Sequence, residues 1–242
     1  MRTEMATIAR AAGHFFLLAL YMLLAPAAVY IDVVVIGDSM REASFTEFFQ
    51  ETLLLLSAVG FFILAYFNRS VRGFAILVGG FFVTMLIREL DGFLDEIVHG
   101  FWIYPALAWT GFVLFLAARF REGLLPAMAD ATRSHAFVFI VIGLATVLAF
   151  SRVFGTGSLW GAVLNDPATA SLVKNTVQEG LELLGYLLIL RGTVGYCREV
   201  GVRRPEADHA IPASLPSVSI QVVPRSYTQP ERKRAAGDAR QR

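Results

Sequence analysis

Residues 166–197 read DPATASLVKNTVQEGLELLGYLLILRGTVGYC, and this stretch decides the fold. At about 1.5 Å per residue, its part 174–196 can cross a hydrocarbon core of about 30 Å. Yet Ser171, Asn175, Gln178 and Glu182 recur at i, i+4, i+7 and i+11, with Glu179 on the flank and Gly185 and Tyr186 deeper on the same face. A face that polar must lie against protein or water, because lipid satisfies none of its hydrogen bonds. The helix therefore needs neighbours. Its start is marked too: Asp166 is placed to cap it, with Pro167 in the first turn.

Working outward, the rest of the chain supplies those neighbours. It is 56% hydrophobic and 17% charged, with a mean hydropathy of +0.59, which sets it apart from soluble domains. Six stretches have spanning length, at 13–35, 45–67, 73–92, 101–120, 135–154 and 174–196. The expectation is an all-α, polytopic membrane helical bundle over 13–197. A short N-terminus, 1–12, precedes it, and a basic tail, 198–242, follows. That tail is rich in Pro, Arg, Ser and Ala without a sustained period, which reads as disorder. Val218–Val223 has strand character but no evident partner, and Glu231-Arg232-Lys233-Arg234 reads as a solvated cluster with weak attraction for anionic headgroups.

The charges orient the bundle. Arg2 and Arg10, Arg69 and Arg72, Arg119, Arg121 and Arg133, and Arg198, Arg203 and Arg204 all fall at alternate ends of the spans. The positive-inside rule makes those ends, and both termini, cytoplasmic. Short loops fit a bacterial inner membrane. The N-terminal run to Ala25-Pro26-Ala27 also resembles a cleavable secretory signal. Apolarity resuming from Val29 to Ile36 favours an uncleaved first span instead.

Twelve of the twenty acids fall on the outer side: Asp32, Asp38, Glu42, Glu47, Glu51, Glu89, Asp91, Asp95, Glu96, Asp166, Glu179 and Glu182. Asp32, Asp38, Glu42 and Asp166 read as loop or span-end charges. The second span places Glu47, Gln50 and Glu51 together, with Leu54, Ser57 and Ala58 below. Both it and the sixth span contain Gln-Glu-x-Leu-x-Leu-Leu, 128 residues apart, a spacing that a parallel repeat of helical hairpins would give. In the third, Arg88 precedes an apolar series Leu90, Phe93, Leu94, Ile97, Val98 and Phe101, so the helix is expected to continue past a bend near Gly92 as an amphipathic outer-surface segment. Asp91, Asp95 and His99 share its wet stripe and have the spacing of three metal ligands.

At membrane depth, Glu47, Glu51, Glu89, Asp91, Glu179 and Glu182 outnumber Arg88, Arg152 and Lys174. A buried carboxylate without a base protonates or binds a cation. The residues expected to bind a proton or cation are Glu47, Gln50, Glu51, Arg88, Glu89, Asn175, Gln178, Glu179 and Glu182, between spans two, three and six. Proton- or cation-coupled transport of a small solute or ion is the first reading. A second is a metal-dependent membrane hydrolase using a divalent cation at Asp91, Asp95 and His99. A third is a non-catalytic scaffold, with Arg88 bridging spans two and six.

The remaining features narrow the classes. Cys197 stands alone, which excludes an intramolecular disulfide and a cysteine metal cluster. Lys174 has the position for a Schiff base, but nothing else supports a retinal protein. Trp102, Tyr104, Trp109 and Trp160 fit interfacial belts, as do His14 and His135. Gly79, Gly80 and Gly143 fit close helix contacts, and Gly155, Gly157 and Gly161 an outer lid. No phosphate loop, nucleophile elbow, zincin pair or dinucleotide fingerprint is present. The expected partners are membrane lipids and the solute or ion, with no nucleic acid; a homo-oligomer is left open.

Overall fold

The structure, a computed structural model, describes residues 2–37 and 44–202. Asp38, Arg41, Glu42 and the readings made on 203–242 lie outside the described residues. Among those described, the chain is all helical, with no strand. Three helices are long and apolar enough to cross a membrane: Thr3–Ile36, Phe45–Phe67 and His135–Phe154. A fourth joins them if Ile103–Arg119 and Arg121–Ala131, bent by 79°, form one broken span.

The first helical stretch is longer than the expected 13–35. It comprises α1 (Arg2–Met22), α2 (Leu24–Tyr30) and a π-helical extension, Ile31–Ile36. The interruption at Leu23 has a cause in Pro26, whose ring presses on the carbonyl four residues back. Tyr21 fastens this stretch to the bundle by donating to Leu187 O at 2.8 Å. Most of α1 is otherwise exposed.

α3 (Phe45–Phe67) follows the expected boundaries. Its first N–H groups, which no intrahelical carbonyl can reach, are taken by side chains. Ser44 Oγ accepts from Glu47 N at 3.1 Å, and the Asp32 carboxylate accepts from Phe45 N at 3.0 Å and Thr46 N at 2.8 Å. The Thr46 hydroxyl donates to Asp32 as well. Asp32 is fully buried by this arrangement. It is not the loop charge expected from its position; it clamps the end of one helix to the start of the next.

α4 (Arg72–Glu89) runs antiparallel to α3, and α6 (Ile103–Arg119) lies against α4. Between them the helix does not continue through Phe101. It stops at Glu89, resumes for the short α5 (Asp91–Asp95) and gives way to turns, with Gly100 at φ +81°. The 121–134 link, read as a loop, holds a 3-10 turn (Arg121–Gly123) and α7 (Leu124–Ala131). There Gly73 meets Phe120 O and Gly123 meets Ser70 O so closely that added Cβ atoms would lie 2.5 and 2.4 Å away.

α8 (His135–Ala145) begins at a Ser134 cap, whose hydroxyl accepts from Phe137 N and donates to Glu199. A π-helical turn, Thr146–Phe150, carries it into α9 (Ser151–Phe154). The expected glycine lid contains α10 (Gly157–Val163), where Trp160 Nε1 donates to Phe154 O at 2.6 Å. α11 (Pro167–Val202) then passes the whole bundle as one 36-residue helix, about 54 Å long.

Packing follows small residues and aromatics. Gly143, Gly185 and Gly192 bring α8 and α11 to backbone contact, while Gly79 and Gly80 bring α4 against α3 and α6. Trp109 makes an inter-helix bond, donating to Gly80 O at 3.0 Å. Phe61, Phe74, Phe82, Phe137 and Tyr196 stack at centroid distances of 5.5–6.1 Å. That aromatic knot fills the bundle on the side opposite the acids.

Candidate functional site

The polar stripe of α11 meets three partners in succession. Nearest the N-terminal end of α11, Gln50 of α3 donates from Nε2 to Glu179 Oε2 at 2.9 Å and to Glu179 O at 3.1 Å. Gln50 is itself buried, on the same α3 face as Leu54, Ser57 and Ala58. One turn along, Glu182 Oε1 is approached from three directions. Ser151 Oγ lies at 3.1 Å, Gln178 Nε2 at 3.3 Å and Arg152 Nη2 at 3.5 Å. Glu182 is only 3% exposed. Deeper still, the Tyr186 hydroxyl donates to Glu89 Oε1 at 2.9 Å, and Arg88 Nη1 holds the same oxygen at 2.7 Å. Tyr186 is fully buried and floors the site.

Among the described residues no buried side-chain nitrogen or oxygen lacks a hydrogen-bond partner. The excess acids are therefore not orphans. Neutral donors, Gln50, Gln178, Ser151 and Tyr186, do part of the work that sequence reasoning assigned to bases. Hydrogen bonds do not cancel charge, however. Glu89 and Glu182 each have a guanidinium, whereas Glu179 has an amide and three neighbouring carboxylates, Glu182, Glu89 and Glu47, whose fields oppose its own. Three acids face two arginines. The core of the site is short of one positive charge.

Several expected residues stand elsewhere. Glu47 and Glu51 are half-buried on the flank of the α3 face that buries Gln50. They feel each other's charge, and Glu47 is also felt by Glu179. Asn175 is half-buried one turn above Glu179. Arg88 does not bridge spans two and six; it pairs with its neighbour Glu89, at the end of α4, and reaches α11 only through the oxygen shared with Tyr186. The two Gln-Glu pairs engage differently, Gln50 with Glu179 and Gln178 with Glu182. Asp91, Asp95 and His99 do not assemble as a ligand set. The helix that would align them ends at Asp95, which binds Gly100 N at 3.0 Å and His99 Nδ1 at 3.2 Å. Among the described residues no three His, Cys, Asp or Glu side chains gather in a group fit for a metal ion.

The sequence placed Arg152 of the fifth span at the depth of the acids without a partner; the structure brings it and Ser151 to Glu182. Ser151 and Arg152 follow the π turn, whose extra residue shifts the helical phase that a 3.6-residue wheel assumes. Gly155 is close by for a physical reason: an added Cβ would lie 2.3 Å from Gln178 Oε1. Outside the site, Asp166 caps α11 as expected. The hydroxyl and backbone N–H of Thr169 hold its carboxyl below the ordinary aspartate range. No family model, curated protein or solved structure matches the chain.

Proposed function

We propose that the chain is a six-span membrane protein with both termini cytoplasmic, which binds a proton or a small cation at Glu179 and couples it to movement of a small solute or ion. The observation that carries this reading is the charge count around α11: Glu89, Glu179 and Glu182 against Arg88 and Arg152, with Glu179 held by a neutral amide. A carboxylate at membrane depth costs about 2.5–3.5 kcal/mol on insertion scales, which favours taking up the missing positive charge. Gln50 orients the carboxylate while leaving its charge intact. Arg152 and Arg88 fix the charge of the two neighbours, so that only one equivalent is exchanged. Spans that keep Arg88, Glu89, Glu179 and Glu182 inside a bundle are also what a membrane protein with a polar interior requires.

The test is flux in reconstituted vesicles, followed with an internal pH dye and with cation tracers. Glu179→Gln keeps the hydrogen bonding with Gln50 and removes the exchangeable charge. It is expected to cut flux by about tenfold or more, the equivalent of 1.4 kcal/mol per decade. Glu51→Gln, on the flank, is expected to change it less than about twofold. If Glu179→Gln vesicles, containing folded protein, conduct as the unmodified protein does, the site does not carry the ion.

A further inference from the structure

A second polar region lies on α11, toward the end away from the acids. There α1, α8 and α11 surround a cavity of about 500 Å³ lined by His14, Tyr21, Phe139, Arg191, Val194 and Arg198 among others. Arg191 and Arg198 are exposed, seven residues and about 10 Å apart along one face of the helix. The Arg191 guanidinium lies 5.6 Å from the Phe139 ring centroid. Among the described residues neither arginine forms an ion pair with a carboxylate. This is the reverse of the outer site: bases without acids, between apolar walls contributed by Leu17, Leu18 and Val194.

We propose that this groove binds the phosphate of an anionic phospholipid headgroup. The occupant follows from charge and surroundings. Two guanidiniums match phosphate oxygens by forked hydrogen bonding. The walls suit acyl chains, and the arginine-rich ends of the spans mark this as the cytoplasmic side, where basic pockets between helices meet anionic headgroups. Arg191 lies about three turns inside the helix end, so a headgroup drawn to it supplies a counter-ion that no described residue does. Tyr21, fixed to Leu187 O, holds α1 in place as the opposite wall. The inference rests on the chain's lying in a membrane but not on the acidic site, so either can fail without the other.

The experiment is native mass spectrometry of the full chain in mixed micelles, titrated with phosphatidylglycerol or with phosphatidylcholine of the same acyl chains. The unmodified protein is expected to retain the anionic lipid in preference by about tenfold. Arg191→Gln with Arg198→Gln is expected to abolish that preference. Arg119→Gln with Arg121→Gln, the same charge loss elsewhere at the cytoplasmic ends, is expected to leave it intact. Melting in the same detergent checks folding, and Arg198→Gln alone, expected to lose part of the preference, replaces the double variant if that one unfolds. Undiminished preference in the Arg191 and Arg198 variants overturns the proposal. So does a groove that inorganic phosphate alone stabilises, through the same two arginines, while the lipids bind without distinction.

Discussion

Asp32→Ala is expected to lower stability by about 2–4 kcal/mol, a large effect for a residue that makes no bond to the acidic stripe. The carboxylate accepts two backbone N–H groups and one hydroxyl at the start of α3; the Thr46 pair is buried and the Phe45 N–H part-buried. Alanine leaves those donors with nothing to bind. The graded variants separate this cause from general damage. Asp32→Asn keeps one acceptor oxygen and is expected to lose about 1–2 kcal/mol; Thr46→Val removes one hydroxyl and about 1 kcal/mol. Reversible unfolding in mixed detergent micelles reads all three. A loss in Thr46→Val as large as that in Asp32→Ala would show that the carboxylate is not the cap. Flux per folded molecule should be unchanged in all of them, because Asp32 does not touch the Glu179 region.

Gly143→Ala should be the second large disturbance, and it should affect both stability and flux. A Cβ there would lie 2.6 Å from Gly185 O and 2.7 Å from Ile189 Cγ1. The oxygen belongs to backbone, so the two helices have to separate. The cost of such overpacking is about 1–3 kcal/mol. The separation also reaches the site, because α8 leads through its π turn to Ser151 and Arg152, whose bonds to Glu182 cross the same interface. Gly111→Ala is the control: nothing stands within 4 Å of its added Cβ. Better helix propensity should make that variant neutral, or more stable by up to about 1 kcal/mol. If Gly143→Ala melts like Gly111→Ala, the α8–α11 contact is looser than described.

Much of the helical layout was legible because it depends on where apolar runs begin and end. The bounds of α3 and the His135 start follow from hydropathy, and the α11 stripe from its 3.6-residue spacing. What escaped depends on which side chain meets which. Asp32 looked like a span-end charge because its partners, Phe45 N and Thr46, lie across a turn. Ser151 was hidden, and Arg152 left without an assigned partner, by the π segment, which breaks the periodicity used to assign faces. Gln50, Gln178 and Tyr186 could be placed on polar faces, but not paired: that Gln50 holds Glu179 and Tyr186 holds Glu89 depends on distances between helices. Asp91, Asp95 and His99 failed for a different reason: their spacing assumed a helix that ends at Asp95.

The long helix α11 has an electrical consequence. Lys174, Arg191 and Arg198 are balanced within it by Glu179, Glu182 and Glu199. A voltage across the bilayer acts on each elementary charge with about 2.3 kcal/mol per 100 mV. Summed over this rod, the pulls in the two directions cancel to first order. The field can align such a helix but gives it little net push. On the proposed function, a cation captured at Glu179 would have no such counterweight, so voltage would drive the passenger rather than the rod that holds it.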